Sequence, residues 1–449
     1  MSFPRYPNYK DSGVEWLGEV PQHWEVKRLR FVAELNPSKS EVGSLDRETS
    51  VSFLPMEAIG DDGSLSLNSE RTISEVESGY TYFRNGDVTI AKITPCFENG
   101  KGALMQDLVN GIGFGTTELI VARPKPDEII GTYLHYLFIS PDFRRLGESY
   151  MFGAGGQKRI PDTFVRNFAT ALPPLDEQVR ITAFLDREIA KIDTLVKEQR
   201  RLVDLMSEKR RAVISHAVSK GLNPNAGMKP SRVQWFDDIP SHWISLQLGK
   251  VCSNVADGPH FSPVYEDHGV PFLSARNIRM DGWALDDVKY ISARDCAEFD
   301  RRIVPQIGDV LYTKGGTTGI ARAVDLDYRF QVWVHVAVLK IIPDLVDPEF
   351  LAFMLNSDCC YEQSQLLTRG ATNNDLGLTR MIKIWIALPP IIEQRAIADF
   401  LDGETRRIDA LNAQAQLATD LLLERRAALV SAAVTGKIDV RAVADLEAA

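Results

Sequence analysis

The sequence predicts an α+β protein in which two similar α/β domains are separated by two long helices that form an antiparallel coiled coil, with pseudo-twofold symmetry. Three observations predict it. The stretch ALPPLDEQVRITAFLDREIAKID at 171–193 returns as ALPPIIEQRAIADFLDGETRRID at 387–409, a constant offset of 216 residues without a gap. Each copy then continues as a heptad-spaced apolar stripe, the pattern of a coiled coil. Between the copies, β-branched apolar runs alternate with turn signals, the pattern of buried strands. The period is far longer than a solenoid repeat, so a whole module is duplicated.

In chain order, residues 1–24 form an N-terminal arm whose SGVEWLGEVPQHW (12–24) reappears as SRVQWFDDIPSHW (231–243). Trp16, Pro21, His23 and Trp24 are answered by Trp235, Pro240, His242 and Trp243. The repeated Pro-x-His-Trp reads as an aromatic arm packing beside the domain. The first globular domain, 25–174, contains a Gly86-Asp87 turn and the strand run TELIVARP at 117–124. A spacer helix at 175–222, a linker with the second arm at 223–243 and a second domain at 244–390 follow. In that domain Gly308-Asp309 repeats the turn, VWVHVAVLKIIP (332–343) the buried strand, and Asp347-Pro348 caps a short helix. The second spacer helix is placed at 391–437 and a tail at 438–449.

The helix boundaries have clear causes. Glu177 and Glu393 follow a double proline and sit where a helix N-terminus favours negative charge. Gly221 with Pro224 stops the first helix and Gly436 the second. Leu185, Ile192, Gln199, Met206 and Val213 recur every seventh residue, as do Leu401, Ile408, Ala415, Leu422 and Leu429. The expected pairing seam is Leu185, Ile192, Leu195, Leu202 and Met206 against Leu401, Ile408, Leu411 and Leu422. About 40 residues at 1.5 Å each make a rod of about 60 Å.

Composition and motifs exclude several classes. The net charge of −10 argues against a protein that coats nucleic acid through a general basic surface. No apolar run approaches a membrane span and the N-terminus has no signal-peptide core, so a cytoplasmic protein without membrane contact is expected. Five cysteines without CxxC spacing point to reduced thiols. KGGTTG (314–319) lacks the order of a phosphate loop, and FGAGG (152–156) has neither the strand before it nor the helix after it of a methyl-donor site. Neither HExxH nor GxSxG is present. The expected catalytic and metal-ligating sets are therefore empty, leaving a binder or scaffold.

Two divergent domains, each followed by a near-identical helix opening LPPxxEQ, with the doubled aromatic arm, make the chain resemble the specificity subunit of type I restriction–modification systems. The resemblance covers nearly the whole sequence. It implies a non-catalytic subunit whose two target-recognition domains each read one half of a bipartite site in double-stranded DNA. It implies that the helices fix the gap between half-sites and dock two methyltransferase subunits, and that a restriction and translocase subunit completes the enzyme. No cofactor is expected on this chain; S-adenosylmethionine, ATP and Mg belong to the partners. The runner-up is a tandem-domain scaffold that binds only protein. Because base reading uses Arg, Lys, Asn and Gln and phosphate contact uses Lys, Arg, Ser and Thr, the expected DNA contacts of the first domain are Lys92, Thr94, Asn99, Lys101, Gln157, Lys158 and Arg159. In the second they are Arg276, Asn277, Lys314, Thr317, Thr318, Arg369, Asn373 and Asn374.

Overall fold

The computed structural model describes residues 3–441 apart from 155 and 371–374, so Asn373 and Asn374 lie outside the described residues. The chain divides into two compact units, residues 1–199 with 417–449 and residues 200–416. Four helices matter below: α1 (Gly131–Ile139), α2 (Leu175–Lys220), α3 (Pro348–Leu355) and α4 (Ile391–Val434). So do eight strands. In the first unit these are β1 (Ala33–Leu35), β2 (Val88–Ala91), β3 (Gly102–Leu104) and β4 (Leu119–Pro124). In the second they are β5 (Cys252–Asp257), β6 (Val310–Thr313), β7 (Ala321–Ala323) and β8 (Val336–Ile341).

Both units build the same antiparallel sheet. Its order is β1-β4-β2-β3 in the first and β5-β8-β6-β7 in the second. The central strands β4 and β8 carry the β-branched runs, and Leu119 to Ala122 and Val336 to Leu339 are buried, as strands covered on both faces require. A short helix follows each central strand, α1 or α3. Asp347 caps α3, its carboxylate accepting from the Phe350 N–H at 3.1 Å. Each unit adds a second sheet with one parallel pair, Ser52 opposite Gly113 and Phe272 opposite Gln331.

The Gly-Asp pairs owe their recurrence to a buried charge. Asp87 accepts the Arg84 N–H at 2.9 Å and is clamped by Arg123 of β4, Nε at 2.7 Å and Nη2 at 2.8 Å. Asp309 likewise accepts the Gln306 N–H at 2.7 Å and Lys340 Nζ of β8 at 2.6 Å. Burial pushes the Asp309 carboxyl above its ordinary range, against the pull of Lys340.

The LPPxxEQ motif docks each long helix on its own domain. Gln178 donates to Glu128 O and Pro173 O at 3.0 Å and accepts the Ile130 N–H at 3.0 Å, just before α1. Gln394 donates to Leu345 O and Pro389 O at 2.9 and 2.8 Å and accepts the Asp347 N–H at 2.8 Å, just before α3. Glu177 and Glu393 hold the aromatic arms, with His23 Nε2 2.7 Å from Glu177 and His242 Nε2 2.7 Å from Glu393. In the first unit Tyr6 Oη (2.6 Å) and Trp24 Nε1 (3.2 Å) also donate to Glu177. Each arm thus packs on a helix start, and Trp24 and Trp243 are fully buried.

Within each unit α2 and α4 contribute antiparallel segments. In the first, Ile181, Leu185 and Ile189 share a core with Leu429, Val430 and Val434. In the second, Ile214, Ala217 and Val218 share one with Ile397 and Leu401. The expected seam needs one correction. Leu185, Ile192, Leu401 and Ile408 are buried and Met206 and Leu422 partly so, but Leu195 is 50% exposed and Leu202 and Leu411 also face outward. The stripe continues four residues after each heptad mark, through Ile189, Val196, Thr405 and Thr419. A step of four turns the helix about 40° past a full circle and a step of three falls about 60° short, so the two options lie on opposite flanks of the stripe.

Candidate nucleic-acid interface

In the first unit β2 ends at Ala91 and the chain loops through 92–101 before β3. The loop closes on itself: Phe97 N–H donates to Ile93 O at 3.0 Å and Lys101 N–H to Cys96 O at 2.9 Å. The segment 152–160 is stitched to it. Thr94 N–H donates to Lys158 O and Ile160 N–H to Lys92 O, both at 2.9 Å, while Phe152 and Arg159 exchange backbone bonds. Tertiary structure therefore brings together Lys92, Thr94, Lys158 and Arg159, which are far apart in the chain. Asn99, Gln157 and Lys158 are outward-facing; Lys92, Thr94 and Lys101 are half-buried.

Two of these cations are engaged within the domain. Arg159 grips Glu118 with both Nε (2.9 Å) and Nη2 (2.7 Å), and that hydrogen-bonded pair holds the Glu118 carboxyl below its ordinary range. Lys101 Nζ donates to Met56 O at 3.1 Å.

The second unit repeats the stitching with different side chains. Lys314 follows β6, and Leu376 N–H donates to Lys314 O at 2.8 Å, the counterpart of Ile160 on Lys92. Arg369 and Asp375 exchange backbone bonds at 3.0 and 2.9 Å, as Phe152 and Arg159 do. The position of Arg159 is thus held by Asp375, and the charge at this point of the interface is reversed between the units. KGGTTG gets its glycine here from packing, since a Cβ on Gly315 would overlap the His335 ring.

Three residues expected to touch DNA are internal instead. Lys314 is only 5% exposed, and its Nζ lies 3.3 Å from Asp257, 3.0 Å from Asp375 and 3.2 Å from Val334 O. Its protons are committed, so it locks the loop to β5. Asn277, 4% exposed, caps its own turn: Oδ1 accepts the Ser274 N–H and Nδ2 donates to Ala284 O, both at 2.8 Å. Thr318, 4% exposed, accepts from Gln365 Nε2 at 3.2 Å. Arg276, Thr317 and Arg369 remain at the surface. The sequence did not reveal Glu118, Asp257 and Asp375, which decide which cations are left for a ligand. Nothing near them in the chain marks them.

Among the described residues no group of His, Cys, Asp and Glu could hold a metal ion, and no helix is long and apolar enough to cross a membrane. The cysteines are free thiols.

A family model for the type I restriction modification DNA specificity domain matches residues 21–202 and again 240–418. The chain is similar to the Type I restriction enzyme EcoAI specificity subunit of Escherichia coli, 46% identical over 189 residues, a match spanning 42% of this chain and 31% of that protein. It is also similar to the Type I restriction enzyme MjaVIII specificity subunit of Methanocaldococcus jannaschii, 22% identical over 98% of both chains. Among solved structures, a chain from a study of complex assembly and conformational transition of the type I R-M system has a TM-score of 0.74 at 21% identity, covering 92% of this chain and 98% of its own. The HsdS subunit from Thermoanaerobacter tengcongensis has a TM-score of 0.56 at 20% identity over 93% of this chain and 98% of its own. At these identities the structural likeness shows the fold.

Proposed function

Because the chain belongs to the type I restriction modification DNA specificity family, we propose that it is the DNA-reading subunit of a methylating complex, each domain reading one half of a bipartite site. The observation that supports this most directly is the stitched pair of loops on each domain, which share two backbone links among the described residues and differ in side chains. A shared plan places both readers alike; unlike side chains let them read unlike sequences. In the first domain Lys158 with Asn99 and Gln157 faces outward, a cation for phosphate beside amides for base edges. In the second the matching loops expose Thr317 and Arg369, and Arg276 is exposed on the separate turn 275–277.

In this reading the chain is a non-catalytic cytoplasmic subunit. The helices set the gap between half-sites and dock two methyltransferase subunits, which carry S-adenosylmethionine; a restriction and translocase subunit would bring ATP and Mg. The net charge of −10 suits this reading if contact is confined to the loop clusters. The test is co-expression with the cognate methyltransferase followed by sequencing of methylated adenines. A bipartite motif that depends on this chain is expected. Changing Asn99 and Gln157 to alanine should degrade one half of the motif and spare the other. Methylation without any two-part motif would refute the reading.

A further inference from the structure

Two ion pairs between α2 and α4 occupy equivalent places in the two units. In the second unit Arg210 binds Asp409, and in the first Arg426 Nε lies 3.2 Å from Asp193. Arg426 stands 216 residues after Arg210, and Asp409 stands 216 after Asp193, the same offset as the opening repeat. Both arginines lie on the pairing stripe, four residues after Met206 and Leu422. Their side chains are 16% and 23% exposed. Each aspartate sits one residue past a buried isoleucine, Ile192 or Ile408, on the flank of the stripe.

A charge placed at a heptad interior position is a poor way to add stability, because its desolvation offsets most of the Coulombic gain. It is an effective way to select one alignment, since an alignment that offers no free opposite charge leaves it uncompensated. The stripe between the pairs needs such a device. Around Gln199, Ala415 and Thr419 it is small or polar where a strong coiled coil would be bulky and apolar.

We infer that Arg210–Asp409 and Arg426–Asp193 are register-setting pairs that hold α2 and α4 in one alignment, and through it set the length of the unread gap in the DNA site. The second half of this inference rests on the spacer role proposed above. A slip of one heptad in one direction would set Arg210 against Gln416 and Arg426 against Arg200, losing both pairs. In the other direction they would meet Asp402 and Asp186, which already have partners: Arg406 at 3.0 Å and the Tyr136 hydroxyl at 2.5 Å. That second alignment is the competitor that the native pairs must outweigh. It differs by about 10 Å along the helix axis, seven residues at 1.5 Å each.

The test uses the full chain in complex with its methyltransferase. Spin labels on unnatural amino acids at Leu195 and Leu423, both exposed and both in the first unit, report the alignment by pulsed electron resonance. The parent should give one distance. The double variant Asp193→Asn with Asp409→Asn should add a second population, and the methylated motif should acquire a second gap length. Reversing both pairs, Arg210→Asp with Asp409→Arg and Arg426→Asp with Asp193→Arg, should restore one distance and one gap. Should the asparagine variant fold poorly, Arg210→Met with Arg426→Met removes the charges while keeping the apolar stems, and should broaden the distances in the same way. An unchanged single distance in the neutralised variants overturns the register role. A changed distance with an unchanged gap upholds the register role and overturns the spacer reading on which the gap rests.

Discussion

Lys158 and Lys314 show how the same residue type is assigned opposite work by its surroundings. Lys158 is exposed, whereas the Lys314 ammonium is enclosed by Asp257, Asp375 and a carbonyl. Replacing Lys314 by methionine leaves Asp257 buried with only Arg302 and His260 beside it. A loss of about 2–4 kcal/mol is expected, read as a lower urea midpoint. Lys158→Ala should leave that midpoint unchanged. His135 gives a pH-dependent counterpart. It lies on α1 beneath Gly63, and burial, aided by the Arg426 charge, lowers its pKa from 6.5 to about 4. The unfolded chain therefore takes up a proton that the folded chain refuses. This contribution to stability is present above pH 6.5 and lost as pH falls towards 4. His135→Gln should flatten the stability profile across that window, measured by denaturant melts at successive pH values. An unaltered slope would show that His135 titrates normally.

At the scale of elements, the near-identical helix openings are explained by two side chains with separate tasks. The glutamine satisfies backbone groups at the start of α1 or α3, and the glutamate fastens the aromatic arm. Gln178→Ala and Gln394→Ala each strand one backbone N–H and two carbonyls. Each should cost about 2 kcal/mol and weaken its own unit, which hydrogen exchange resolved by peptide would localise. Protection lost equally in both units would contradict separate docking. The two central strands, the Gly-Asp turns, the Asp347 cap and the starts of the long helices were legible in the sequence because each is set by neighbours within a few residues. The helices end at Lys220 and Val434, two and three residues before the expected 222 and 437. The flank on which the helical stripe is buried was not legible. Leu195 and Val196 are equally good seam residues until a partner helix is present to choose between them.

For the whole molecule, the net charge of −10 makes electrostatic binding a matter of a few local contacts. In complex with the methyltransferase, Lys158→Ala should make the slope of log affinity against log salt shallower by about 1, and Lys314→Met should leave it unchanged. A slope made shallower by Lys314→Met as well would mean that this lysine leaves its carboxylates to meet phosphate. The sequence by itself determined that a module is duplicated and that its long helices are the best-kept part. Periodicity, caps and turns suffice for that, because their physics is local. Only the tertiary structure decided which cations remain outward, since Lys314 meets Asp257 and Asp375, and Arg159 meets Glu118, across wide sequence separations. It also decided that Asp375 stands where the first domain has Arg159. That choice depends on which carboxylate the fold brings within a few ångströms of each cation, and no window along the chain contains both.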